Sequence, residues 1–147
     1  MPAPQSYKNH ARYDPLFHFF VLPMLLINFI LSIRTAIHHW DDGTPHRYLW
    51  YIVMSFVAFI AVGKARAFAL KAQDRIIRLE ERLRLASLLS AADQPRIAEL
   101  TTRQLIALRF ASDAEVAALA LKAADQKLDP KTIKQSIVNW RPDYDRV

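Results

Sequence analysis

The 147-residue chain contains no cysteine. That excludes disulfides, thiolate metal sites, iron–sulfur clusters and cysteine nucleophiles, and it leaves the redox compartment open. Glycine occurs only twice, so there is no glycine-rich phosphate loop, and neither a nucleophile elbow nor an HExxH metal motif is present. The apolar runs carry no pair of carboxylates for intramembrane proton work. These absences together argue against an enzyme. What remains is rich in Ala, Leu, Arg and Lys, side chains that lose little rotamer freedom on a helix, so the expected fold class is all-α.

Mean hydropathy is +0.02 with 52% apolar residues, so oily segments must be offset by strongly polar ones. The first oily segment, LFHFFVLPMLLINFILSI from Leu16 to Ile33, runs 18 residues without a formal charge. About 20 residues at about 1.5 Å each cross a bilayer core of about 30 Å, so this run has the length of a spanning helix. A cleaved signal peptide is the rival reading, since Lys8 and Arg12 precede the run. It fails on the length of the apolar core and on IRTAIHHW, which offers no small-x-small cleavage site. The second run, YLWYIVMSFVAFIAV from Tyr48 to Val62, is shorter and needs Gly63, Ala65, Ala67 and Phe68 to complete a span while Lys64 and Arg66 snorkel.

Lys and Arg counts set the expected orientation. The loop between the runs has Arg34 and Arg47, whereas Lys64, Arg66, Lys71, Arg75, Arg78, Arg82 and Arg84 follow the second run. Seven against two places the C-terminal side, and with two spans also the N-terminus, in the cytoplasm. The expected organisation is a cytoplasmic tail (1–15), a transmembrane hairpin (16–63) with an outer loop (34–47), a cytoplasmic amphipathic helix (64–90) and a small helical subdomain with a C-terminal tail (91–147).

Phe68, Ala72, Ile76, Leu79, Leu83 and Ala86 step by four or three residues and form one apolar face, so the second span is expected to continue as one long helix. The apolar row is expected to face a partner helix, either another copy or the subdomain. A stalk leaving the bilayer competes here with a helix that breaks near Gly63 and lies on the membrane. Lys64, Arg66, Lys71 and Arg75 are candidates to hold anionic lipid headgroups; a solvated face paired with Asp74, Glu80 and Glu81 is the plainer alternative.

Three short helices are expected beyond residue 100, from the capping-box spacings Thr101/Gln104 and Ser112/Glu115 and from Asp129 before Pro130. They are expected over 102–111, 113–127 and 130–140. Nine basic against eight acidic residues from Ala91 to Val147 leave this part nearly neutral, so no nucleic-acid partner is expected. NWRPDYDRV reads as a docking strap.

Asn28 and Ser55 lie at depths differing by about 3 Å in the two spans, where an interhelical hydrogen bond is expected; with Gly63 they are the candidate helix-packing residues. Pro23 should kink the first span. His18 finds no second imidazole at its depth to ligate a haem, so no cofactor is expected. In the outer loop His38, His39 and His46, with Asp41 and Asp42, offer nitrogen and oxygen donors within nine residues. A metal or redox accessory role through these histidines is therefore the alternative to a scaffold that assembles, with itself or with a larger membrane complex, among membrane lipids.

The segments YKNHARYDPLFHFFVLPMLLINFILSI and QLIALRFASDAEVAALALKAADQKLDPKTIKQSIVNWRPDYDRV are similar to those of an uncharacterised family of small bacterial membrane proteins, over nearly the whole chain. The resemblance implies two spans and a cytoplasmic helical part, and supplies no activity and no catalytic residues. NHARYDP and NWRPDYDRV look distinctive of that family.

Overall fold

The computed structural model describes residues 5–10, 13–41 and 43–144. It is all-α, with no strand among the described residues and a single isolated bridge between Ala111 and Trp140. Helix α1 (Leu22–His38) and helix α2 (Pro45–Leu88) are followed by a 3-10 turn (Gln94–Glu99) and three short helices, α3 (Thr102–Leu108), α4 (Asp113–Asp125) and α5 (Pro130–Ser136). The chain divides into two compact units. One is residues 13–69; the other is discontinuous in sequence, joining the described part of residues 1–12 to residues 70–147.

In the first unit, Asp14 starts the helical run by accepting from the Phe17 N–H at 3.1 Å, with Pro15 where a missing N–H costs nothing. A π-helical turn (Phe17–Val21) follows, in which the Leu22 N–H reaches the Phe17 carbonyl. Pro23 is the physical reason: it has no N–H for the Phe19 carbonyl and its ring would press on it, and a wider turn relieves both. The kink expected at Pro23 is thus resolved as a π turn just before it. Phe17–His38 and Pro45–Leu88 are each long and apolar enough to cross a membrane. The turn between α1 and α2 is tighter than the expected 34–47 loop, and Gly43 adopts φ +72° within it. Helix α2 passes through Gly63 without a break.

In the second unit the expected signals act where they were read. Thr101 and Gln104 form a reciprocal capping box, Ser112 makes half of one by donating its N–H to the Glu115 carboxylate at 3.4 Å, and Asp129 accepts from the Lys131 and Thr132 N–H groups. Leu85, Leu105, Leu108, Phe110, Val116 and Ile133 are fully buried. All three short helices end earlier than expected, α4 by two residues and the others by more. After a turn at residues 109–110, and from Ile137 onward, the chain leaves the helix so that Ser112 donates to the Asn139 carbonyl at 3.0 Å and Arg141 to the Phe110 carbonyl at 2.7 Å. Backbone pairing with a distant segment there outweighs one further helical turn.

Candidate functional site

Within residues 13–69, the structure brings Asn28 and Ser55 together. The Asn28 side-chain amide donates to Ser55 Oγ at 2.8 Å, and Ser55, at 6% exposure, is buried between the helices. Ser32 Oγ lies 2.9 Å from Ser55 Oγ and 2.8 Å from the Asn28 carbonyl, while Ser55 Oγ lies 2.7 Å from the Tyr51 carbonyl. Two hydroxyl protons serve three contacts, so the interhelical Ser–Ser bond alternates with the back-bonds to the helix carbonyls. Ser32 was not singled out from sequence, although it lies one turn from Asn28 on the same face.

Gly63 is different. A Cβ built there meets nothing within 4 Å, so the glycine makes no close approach inside the described chain. Arg66 also departs from expectation. Its guanidinium sits 4.5 Å above the Phe17 ring and 3.7 Å from the Asp14 carboxylate, with the side chain only 16% exposed. It closes the base of the hairpin rather than reaching outward. Lys64 lies over the Phe68 ring, and Lys71 and Arg75 are exposed. His18 turns back on its own helix, with Nδ1 2.8 Å from the Asp14 carbonyl.

The histidines around the turn between α1 and α2 do not converge. Among the described residues no group of three His, Cys, Asp or Glu side chains is placed to hold a metal ion. His39 stacks on Tyr48 with centroids 5.7 Å apart, and His38 and His46 are exposed. Asp42 lies outside the described residues. Adjacent positions 38 and 39 point about 100° apart around a helix end, which explains why close spacing in sequence gave no common centre.

The second unit contains a cluster that sequence reasoning missed, built on His10 of the first distinctive motif and on Trp140 and Asp143 of NWRPDYDRV. His10 packs against Phe110 and Trp140, each with centroids 5.8 Å away, and stacks on Tyr7. Its Nδ1 lies 2.7 Å from the Tyr7 carbonyl and its Nε2 3.1 Å from Lys134 Nζ. Nδ1 therefore carries the proton and donates, leaving Nε2 to accept from the ammonium. Gln5 and Asp143 exchange two hydrogen bonds at 3.1 and 2.9 Å, and Arg109 pairs with the Asp143 carboxylate at 2.9 Å. The strap expected from NWRPDYDRV docks on its own chain, held also by Glu115, which accepts from the Val138 and Asn139 N–H groups. Asp145 to Val147 lie outside the described residues.

A charged clamp lies beside it. Glu81 is 5% exposed and pairs with Arg84 at 3.1 Å, and Arg84 also donates to Asp113 and to the Ala111 carbonyl. Burial raises the Glu81 pKa, an effect only partly countered by Arg84 and by Arg141 at 3.9 Å. Positions 77, 81 and 85 define the buried face of α2 here, where Leu85 joins the core of the small helices, and the row Ile76, Leu79 and Leu83 stays 57–64% exposed. The expected apolar row is therefore not covered by the subdomain.

The chain belongs to a family of unknown function (DUF6526), whose profile matches residues 1–147. No curated protein and no solved structure matches it.

Proposed function

We propose that the protein is a non-enzymatic, two-span bacterial inner-membrane protein that serves as a scaffold or accessory subunit, assembling through its helices with its own copies or within a larger membrane complex. The observation that carries this reading is how little the two apolar helices cover each other. Only 6% of the most apolar window of either is buried. The core helix of a water-soluble protein hides such a surface, whereas lipid and neighbouring spans accept it.

Topology supports the same reading. Gln5 and His10 are bonded to residues 110–143, so the N-terminal tail and the C-terminal unit share one compartment, which requires an even number of crossings. Two spans satisfy this, and the excess of Lys and Arg after the second assigns that compartment to the cytoplasm. Lys64 and Lys71 then face the headgroups, with Arg66 held in the hairpin by Asp14 and Phe17. The bond from Asn28 to Ser55 ties the spans together without chemistry of its own. Metal or redox work by His38, His39 and His46 gains no support from their placement.

The absence of native cysteine makes the test clean. In spheroplasts, Thr44→Cys should react with an impermeant thiol reagent, and Ser87→Cys should react only in inverted vesicles. Equal labelling of both from one side defeats the topology, and a protein that migrates as an unaccompanied monomer from mild detergent defeats the scaffold role.

A further inference from the structure

We infer that the exposed face of α2 beyond residue 70 pairs in parallel with the same face of a second copy. The inference rests on the membrane reading above, because copies inserted the same way in one bilayer present their helices side by side and pointing the same way.

Ala72, Ile76, Leu79, Leu83 and Ala86 alternate steps of four and three, placing Ile76 and Leu83 at a positions and Ala72, Leu79 and Ala86 at d positions of two heptads. All five are exposed. At about 100° per residue this seam lies about 180° around the helix from Ile77, Glu81 and Leu85, which are buried, with Leu85 in the core of the small helices. A partner helix can therefore seat on the seam without displacing the core. Ile at a beside Leu at d favours two strands, and the alanines admit close approach of the backbones.

Charge identifies the occupant. Arg75 and Arg82, at g positions, line one rim of the seam, and Gln73, Glu80 and Ser87, at e positions, line the other. A parallel two-fold axis sets the g rim of each helix against the e rim of its partner, bringing Arg75 of one copy to Glu80 of the other, twice per dimer. A helix resting on anionic lipid would gain from cations along both rims, and the rim with Gln73, Glu80 and Ser87 carries none. Two heptads are short for pairing in free solution. Confinement in a shared bilayer raises the effective concentration and removes that deficit.

Oxidative crosslinking of single-cysteine full-length chains in native membranes tests the pairing. Ile76→Cys and Leu79→Cys should form disulfide dimers roughly tenfold more readily than Asp74→Cys, which lies on the helix face turned away from the seam. Arg75→Glu in the Leu79→Cys background should lower the dimer roughly fivefold, and adding Glu80→Arg should restore it. Equal crosslinking at positions 74 and 79 overturns the proposal. So does a mixed dimer between Ala72→Cys and Leu83→Cys copies, the mark of antiparallel helices. Position 79 remaining monomeric in carbonate-resistant membranes leaves the membrane reading standing and rejects the pairing, the result expected if lipid or a different protein covers the seam. Release of the chain by carbonate instead rejects the membrane reading, and the pairing with it.

Discussion

Glu81 shows how burial sets the sign of a pH effect. Desolvation outweighs its arginine partners and holds its carboxyl above the ordinary 4.5. Between that value and the raised one the folded chain binds more protons than the unfolded chain, so the contribution of Glu81 to stability falls as pH rises through that window. Glu81→Gln should therefore gain on the wild type as pH rises from about 4.5, read as the difference between denaturant midpoints in detergent across a pH series. Ser55→Ala acts inside the hairpin. Loss of its hydroxyl removes the acceptor for Asn28, and the hairpin should lose about 0.6 kcal/mol, within a ceiling near 1.7 kcal/mol, measured by far-UV circular dichroism during titration with a denaturing detergent. The partnership of Asn28 and Ser55 was legible from depth alone, because a helix fixes height by residue count. The burial of Glu81 was not, since it depends on which face of α2 the small helices choose.

At the scale of elements, local chemistry predicted where helices begin better than where they end. Thr101, Ser112 and Asp129 mark starts through bonds to residues two or three positions on, and such bonds are written in adjacent sequence. The ends near Leu108 and Ser136 are decided by pairing between Ala111 and Trp140, which no local pattern reports. The expected continuity of the helix through Gly63 holds, and the competing break there fails, for a related reason: one glycine costs about 1 kcal/mol relative to Ala, too little to interrupt a helix continued on both sides. Gly63→Ala should thus stabilise the monomeric chain by about 0.5–1 kcal/mol, seen as a higher midpoint in thermal unfolding in detergent. A lower midpoint would mean that another helix approaches the position closely.

The two ends of the molecule hold each other through Gln5 and Asp143. Gln5→Ala frees the Asp143 N–H, and hydrogen exchange at that amide should quicken about tenfold, the worth of one hydrogen bond. Of this cluster the sequence announced a docking strap in NWRPDYDRV but not what it docks on, because contacts 138 residues apart leave no periodic trace. The same separation imposes an order on synthesis. A ribosome adding about 5–20 residues per second needs about 7–28 s to pass from Gln5 to Asp143, and both apolar helices emerge within that interval. The N-terminal tail must wait through synthesis of both apolar helices for its partners at 134–143. Its docking therefore reports that residues 134–143 have been made: a polypeptide stalled before Asn139 has both apolar helices but leaves Gln5 without its Asp143 bonds, a difference that a protease can read.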